Sequence, residues 1–121
     1  MRTLRRTPRR PQYDLRVAVE RAGLRIRACQ VEFWNPHATG KRGKAHGAPQ
    51  WIDVAAEYSG HLLTLDVLDN NEEFADRFEK EKRAGLQERG IPYLCVRHGG
   101  AKEMQVEITI WLRLLELGFR D

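Results

Sequence analysis

Two strand-like segments joined by a short turn constrain the fold of this chain more than any other feature. The segments cover residues 51–57 and 61–68, and the dipeptide Ser59-Gly60 between them is typical of a tight turn. If Ser59-Gly60 is a two-residue hairpin loop, Tyr58 pairs with His61 and the pairs farther from the turn are fixed one by one. We therefore predict a β-hairpin with a single register.

The predicted register separates an apolar face from a face that carries two acids. The apolar face consists of three cross-strand pairs, which are Ile52 with Val67, Val54 with Leu65, and Ala56 with Leu63. On the other face Asp53 lies opposite Asp66, at a Cβ separation of about 4.5 to 5.5 Å, where like charges destabilise the sheet unless they are compensated. A divalent cation would compensate them. Alternatively, both acids are solvated residues on the wet side of an amphipathic hairpin.

The length and composition are typical of one small domain. The chain has 121 residues, and we expect a basic arm over residues 1–12 and a single α/β domain over 13–121. No apolar stretch is long enough for a membrane span or a secretory signal, so we expect an intracellular protein, cytoplasmic or nucleoid-associated, without a membrane partner. Cys29 and Cys95 lack a CxxC spacing, which argues against zinc or redox chemistry.

The positive charge is concentrated in two segments. The formal net charge is +4, and residues 1–10 contain five arginines and no acid. A second basic cluster lies in the long loop predicted over residues 34–50, where Trp34 could stack on bases or wedge between them. Both segments favour a nucleic-acid partner, although a solubilising tail is the alternative for the arm. The candidate nucleic-acid-binding residues are Arg5, Arg6, Arg9, Arg10, Trp34, Lys41, Arg42 and Lys44.

The remaining periodicity predicts an α/β domain around a mixed sheet. A helix over residues 13–22 precedes a strand over 24–33, and beyond the hairpin a charged helix over 71–89 leads to a strand over 91–97 and a helix over 103–117. The crossing helix makes the last strand parallel to the second hairpin strand. The predicted apolar contacts of the last two helices are Phe74, Phe78 and Leu86 for the first, and Val106, Ile110, Leu114 and Leu117 for the second.

This order of elements, with acids at facing hairpin positions, resembles the PD-(D/E)XK nuclease superfamily. Its restriction-endonuclease-like core is α-β-β-β-α-β, and Ile52-Asp53 and Asp66-Val67-Leu68 look like its two metal-binding motifs. The segment 79–97, with Leu86, Gly90 and Arg97 in register, is similar to the very-short-patch-repair and DUF559-like branch. The resemblance covers residues 13–98.

The resemblance implies a metal-dependent DNA endonuclease that hydrolyses phosphodiester bonds. Asp53 and Asp66 would bind Mg²⁺ or Mn²⁺, with Glu20 as a possible further ligand. Leu68 stands where the superfamily has its usual lysine, so Lys80 or Lys82 would orient or deprotonate the attacking water from the following helix.

Two alternatives use the same fold without catalysis. The chain could be an inactive nucleic-acid-binding or assembly protein, favoured by Leu68, or an RNA-binding accessory subunit, which would also explain the basic arm. DNA is the preferred partner over RNA, and the chain could act as a homodimer or as a subunit of a larger complex.

Overall fold

The computed structural model describes residues 2–3, 9–39, 47–68 and 75–119. Within these ranges the chain forms a mixed β-sheet with helices on both faces. The elements are β1 (Arg2–Thr3), α1 (Arg10–Arg21), β2 (Arg25–Asn35), β3 (Ala48–Tyr58), β4 (His61–Leu68), α2 (Ala75–Glu88), β5 (Tyr93–Arg97) and α3 (Ala101–Phe119).

The strands lie side by side in the order β1-β2-β3-β4-β5. The first three pairings are antiparallel, whereas β5 runs parallel to β4 after the crossover through α2. The prediction of an α/β domain around a mixed sheet, with the return strand parallel to the second hairpin strand, is confirmed. β5 stands at one edge of this sheet and β1 at the other.

The basic arm departs from the prediction at both of its ends. Arg2 lies opposite Glu32 and Thr3 opposite Val31, so the beginning of the chain is an edge strand and not a free arm. At the other end α1 already begins at Arg10, because Pro11 is well tolerated in the first turn of a helix. The backbone geometry of residues 4–8 lies outside the described residues.

Two hydrophobic clusters hold the helices against the sheet. Helices α1 and α3 cover one face, and their larger cluster includes Leu15, Val19, Leu65, Val96 and Ile108, each at most 1% exposed. Helix α2 covers the opposite face with a smaller cluster of Phe33, Ile52, Leu86 and Tyr93. Leu15 and Val19, four residues apart, form the buried stripe of α1.

The hairpin forms in the predicted register, starting from its turn. Ser59 and Gly60 both have positive φ, +49° and +79°, as a two-residue type I′ turn requires. Pairing then continues through the antiparallel ladder from Tyr58 opposite His61 to Val54 opposite Leu65. The turn and the register near it are therefore confirmed.

The predicted pair of Ile52 with Val67 does not form, because the hairpin opens into a fork beyond Val54. Ile52 packs under α2, whereas Val67 packs in the cluster of α1 and α3. Strand β2 continues to pair with β3 across this point, and its residue Gln30 has a φ of +52°, which is rare for a residue with a side chain. Gln30 lies between Cys29, which pairs with Val54, and Val31, which pairs with Ile52, so it is next to the point where β3 changes from the cluster of α1 and α3 to the cluster under α2.

Helix α3 buries a different stripe from the one predicted. Met104, Ile108 and Leu112 are at most 4% exposed and pack into the core. The predicted contacts are instead 57 to 63% exposed, namely Val106, Ile110, Leu114 and Leu117. In α2 the prediction is right for Leu86 and wrong for Phe78, which is 38% exposed, while Phe74 lies outside the described residues.

None of the helices in the described part of the chain is both long enough and apolar enough to cross a lipid bilayer.

Candidate active site

Asp53 and Asp66 face each other at the fork, and each carboxylate binds the backbone of the other strand. Asp66 Oδ1 accepts a hydrogen bond from the Asp53 N–H at 2.7 Å, and Asp53 Oδ2 accepts one from the Val67 N–H at 3.0 Å. The carboxylates thus satisfy backbone donors that the interrupted ladder leaves without a carbonyl partner. Asp66 is only 4% exposed, so this residue is not part of a solvated hairpin face, which was the alternative interpretation of the acid pair.

Helix α2 brings Lys82 to the second of these acids. Lys82 Nζ lies 2.9 Å from Asp66 Oδ2, and only 18% of the lysine side chain is exposed. Burial lowers the pKa of Lys82, but the negative charges of Asp66 and Asp53 outweigh burial and leave that pKa above its ordinary value. Lys82 is therefore an ammonium group at neutral pH, suited to orient a water or a phosphate oxygen and not to remove a proton.

Tyr93 completes the surroundings of Asp66 from the neighbouring strand. Its hydroxyl donates a hydrogen bond to Asp66 Oδ2 at 2.7 Å. Burial and the negative charge of Asp66 raise the pKa of Tyr93, so the phenol remains a neutral donor. Asp66 Oδ2 thus accepts from both Lys82 and Tyr93, whereas Asp66 Oδ1 accepts from the backbone of β3.

The first turn of α1 holds Asp53. Gln12 Nε2 donates to Asp53 Oδ1 at 3.2 Å, and Gln12 Oε1 accepts from the Arg9 N–H at 3.0 Å, which fixes the amide at the start of the helix. Burial, followed by the charge of Asp66, raises the pKa of Asp53 to about 7, although the Val67 N–H and Lys82 act in the opposite direction. Asp53 therefore keeps its proton to a higher pH than an ordinary aspartate, and a bound cation would favour its charged form.

A cleft of about 150 Å³ opens over the two acids. Its walls are formed by the beginning of α1, by the fork between β3 and β4, and by residues 78–82 of α2. The lining includes Arg9 just before α1, Gln12 in α1, Trp51, Asp53, Asp66 and Leu68 from the strands, and Phe78 and Lys82 from α2. Cys95 also lines the cleft, and burial raises the pKa of its thiol to about 12, so the thiol is protonated at neutral pH.

The two carboxylates are a suitable donor set for a hard divalent cation. No cluster of three or more His, Cys, Asp and Glu side chains occurs in the ranges that the structure describes, so the protein's carboxylate ligands there would be Asp53 and Asp66. Mg²⁺ is often held by one or two carboxylates, with waters and substrate phosphates completing its shell. Each oxygen of Asp53, and Oδ1 of Asp66, accepts one of the hydrogen bonds described above. Because a carboxylate oxygen has two lone pairs, each of these three oxygens keeps one lone pair with which to bind a cation.

Two of the residues predicted for this site are not brought to it. Glu20 is exposed on α1 and does not join Asp53 and Asp66 in a metal-binding group. Lys80 is exposed and does not line the cleft, because it lies two positions from Lys82 and so on a different side of α2. Of the two lysines proposed for catalysis, the helix geometry therefore brings Lys82 alone to the acids.

The predicted nucleic-acid-binding residues are only partly within the described chain. Arg9 lines the cleft, and Trp34 is 56% exposed at the end of β2. Arg10 is directed to solvent, and its Nε lies 3.7 Å from an Asp14 carboxylate oxygen. The other members of the set lie outside the described residues, namely Arg5, Arg6, Lys41, Arg42 and Lys44.

Several cleft residues were not predicted from the sequence as part of the site, among them Tyr93, Gln12, Trp51 and Phe78. Tyr93 and Gln12 reach the acids from elements whose register against the hairpin has no signature in the sequence. Trp51 and Phe78 carry a weak signal, since Trp51 lies two residues before Asp53 and Phe78 stands between Arg77 and Glu79. An aromatic at such a position is usually part of the core or its rim, so the sequence alone does not assign either ring to the site.

No family model matches the chain, and no curated protein matches it. Among solved structures, it is similar to a crystal structure described as a "Protein of Unknown Function AF1548", with 14% sequence identity and a TM-score of 0.46. The similarity covers 81% of this chain and 54% of that one, so the chain spans about half the length of that protein.

Proposed function

We propose that this chain is a metal-dependent DNA endonuclease of the PD-(D/E)XK superfamily, with a restriction-endonuclease-like fold and Asp53, Asp66 and Lys82 as its catalytic residues. The observation that carries the proposal is the convergence of two facing carboxylates and a lysine ammonium on one cleft, with Lys82 Nζ 2.9 Å from Asp66 Oδ2. Leu68 has no chemistry to offer at the position of the usual lysine, and Lys82 supplies the same group from α2.

The residues of the cleft have different roles in the proposed reaction. Asp53 and Asp66 hold the cation, which when bound lowers the pKa of a water and offsets charge on the scissile phosphate. Lys82 remains protonated and orients the water or a non-bridging phosphate oxygen through its ammonium group. Tyr93 and Gln12 keep the two carboxylates in position, and Arg9 at the cleft adds positive charge for the phosphate.

The preference for nucleic acid rests on charge. The net charge is +4, and five of the first ten residues are arginines. The two ends of this segment are tied to the fold, because Arg2–Thr3 pairs with β2 and Arg9 precedes α1 beside the cleft. A basic segment anchored next to acidic catalytic groups supplies the phosphate contacts that offset their repulsion of DNA.

A second candidate is a binding protein without turnover on the same fold. It is favoured by the self-sufficiency of the acid pair, since Asp66 Oδ2 already accepts two hydrogen bonds and Lys82 neutralises one charge. In that case the fork is a structural polar network and the basic segment is the functional part.

Cleavage assays combined with metal titration distinguish the two. Plasmid, branched-junction and single-stranded DNA are incubated with Mg²⁺ or Mn²⁺, and metal binding is measured by calorimetry. We expect cleavage and binding in the wild type, and loss of both in Asp53→Asn and in Asp66→Asn. Glu57→Gln is the matched control, because Glu57 lies on the same strand but pairs with Arg27 outside the cleft, and it should leave both properties unchanged.

Either of two results would overturn the nuclease proposal. One is a wild type that neither binds metal nor cleaves any of the substrates, which would establish the binding protein. The other is cleavage that persists in both acid variants, which would place the chemistry elsewhere or in a contaminant.

A further inference from the structure

Three aromatic side chains remain exposed at the cleft and next to it. Trp34 is 56% exposed, Trp51 is 41% exposed and Phe78 is 38% exposed. Trp51 from β3 and Phe78 from α2 both line the cleft, so aromatic rings are present on two different walls around the acids. A cleft built for a phosphate alone needs no exposed rings, and a polar rim would be less costly to hydrate.

Trp34 and Trp51 lie on the same face of the sheet. Trp34 is opposite Pro49, and Trp51 is two residues further along β3. Side chains alternate between faces, and Gln50 and Asn35 are on the α2 side, where both are hydrogen-bonded to Glu81. Trp34 and Trp51 are therefore diagonal neighbours on the face away from α2, with Cβ atoms roughly 7 Å apart, so two rings are available next to each other for successive bases.

The ring of Trp34 is held in place by the backbone of the loop. Gly47 has a φ of +76°, and a Cβ atom at that position would lie 2.8 Å from Trp34 Cζ2, so the glycine lets the chain approach the indole closely. Arg89 also donates a hydrogen bond to the Trp34 carbonyl oxygen at 2.7 Å. A ring that is fixed on one side and more than half exposed elsewhere is preorganised for stacking.

The cleft is large enough for a phosphate group but too small to enclose a base as well. Its volume of about 150 Å³ is below the roughly 300 to 1,000 Å³ of pockets that enclose a drug-sized ligand. A phosphodiester group fits over the acids, but the attached base must lie outside, where the rings are. Only an unpaired base offers its face for stacking, because the bases of a duplex are stacked on each other.

We propose that Trp34 and Trp51 stack on unpaired bases, so that the substrate is a single-stranded nucleic acid or a junction with an unpaired segment. The identification of a substrate rests on the proposed nuclease function, whereas the binding itself does not. The net charge of +4 and the presence of Arg9 in the cleft are complementary to the backbone of such a strand.

The test compares three DNA probes in the presence of EDTA, so that no cleavage occurs. The probes are an oligothymidylate of about 12 nucleotides, a duplex of the same length, and an abasic strand that keeps the phosphates without the bases. We expect the oligothymidylate to bind at least about 10-fold more tightly than the abasic strand or the duplex, and to quench the tryptophan fluorescence. Equal affinity for the oligothymidylate and the abasic strand, or tighter binding of the duplex, would overturn the proposal.

Single substitutions show which side chains account for the tight binding of the oligothymidylate by the wild type. Trp34→Ala and Trp51→Ala should each lower the affinity for the oligothymidylate by about 5- to 150-fold, with little change for the abasic strand. Trp34→Phe should retain most of the affinity because it retains a ring. Ile110→Ala is the matched control, since Ile110 is equally exposed at 58% but lies on α3, and it should bind like the wild type. Equal loss for all three probes would show a general role and contradict stacking.

Failure of this inference is distinguishable from failure of the nuclease proposal. Base-dependent binding without cleavage in Mg²⁺ or Mn²⁺ would leave the stacking surface and remove the nuclease. Cleavage of duplex DNA that depends on Asp53 but not on Trp34 or Trp51 would do the reverse.

Discussion

Lys82 Nζ lies 2.9 Å from Asp66 Oδ2, although the two residues are 16 positions apart and belong to different elements. Helix α2 carries the lysine over the end of β4, and the contact brings positive charge to a pair of acids that would otherwise repel each other. In the proposed enzyme this contact replaces the lysine that the superfamily usually has two residues after the second acid. The lysine is therefore the residue whose removal should separate catalysis from DNA binding.

We predict that Lys82→Ala abolishes cleavage while DNA affinity changes by only a few fold. The loss should be about 100-fold or more, as is typical when a group that stabilises charge in the transition state is removed, whereas one phosphate contact is a small part of the footprint. Single-turnover rates and filter binding measure the two effects. Lys80→Ala removes the same charge from an exposed position two residues away and should cleave normally. A stronger effect in Lys80→Ala than in Lys82→Ala would refute the assignment.

The raised pKa of Asp53 predicts how stability depends on pH. The folded state has a pKa of about 7 at this carboxyl and the unfolded state one of about 3.8, so between these values the folded state binds more protons. The contribution of Asp53 to the free energy of unfolding therefore decreases as the pH rises from 4 to 7, by up to a few kcal/mol.

Asp53→Asn tests this dependence directly. The neutral amide removes the repulsion from Asp66, so we expect the variant to be at least as stable as the wild type at pH 8 and its stability to vary less between pH 4 and 7. Urea unfolding at several pH values without metal measures both effects, with Glu57→Gln as the control for loss of a strand acid. A steeper pH profile in Asp53→Asn than in the wild type would contradict the shifted pKa.

The same titration predicts the pH dependence of metal binding. A cation binds the charged carboxylate, so its affinity should rise as the pH increases through about 7, with proton release on binding. Below that value the affinity should fall by up to about 10-fold per pH unit. Calorimetry in buffers of different ionisation enthalpy measures the released proton. Affinity that is the same at pH 5.5 and pH 8 would show that Asp53 is not a ligand.

The hairpin was predictable because the information that fixes it is local. Ser59-Gly60 specifies the two-residue turn, and the apolar alternation next to it allows one register. The fork was not predictable, since no residue pattern in β3 or β4 marks the point where their pairing ends. The contact of Tyr93 with Asp66 depends likewise on the parallel register of β4 and β5, which no turn fixes.

Helix α3 shows why a helix can be predicted correctly from its hydrophobic periodicity while the wrong residues are predicted to be buried. Both the stripe of Met104, Ile108 and Leu112 and the stripe of Val106, Ile110 and Leu114 repeat every four residues, so periodicity alone cannot choose between them. The choice is made by the fit of the helix against α1 and the sheet. We predict that Ile108→Ala costs about 2 to 5 kcal/mol of stability, whereas Ile110→Ala stays within about 0.5 kcal/mol. Urea unfolding measures both, and a large cost at Ile110 would show that its stripe is covered in solution.

The last prediction asks whether the position of the lysine matters or only its presence. Leu68 lines the cleft two residues after Asp66, where the superfamily has its usual lysine. In the inactive Lys82→Ala background, Leu68→Lys should restore part of the cleavage, because it returns an ammonium group to the same carboxylate. Leu68→Met in that background has a similar size without charge and should remain inactive.

Leu68→Lys in the wild-type background, where Lys82 is still present, is the control for this experiment. There Lys82 already occupies Asp66, so Leu68→Lys adds a second positive charge and should give no gain in rate. If instead the wild type is silent and Leu68→Lys alone is active, the site is a degenerate nuclease site that has lost its lysine. If the wild type and every lysine variant are silent and none binds metal, the pair of Asp53 and Asp66 is a structural network, and the protein acts by binding alone.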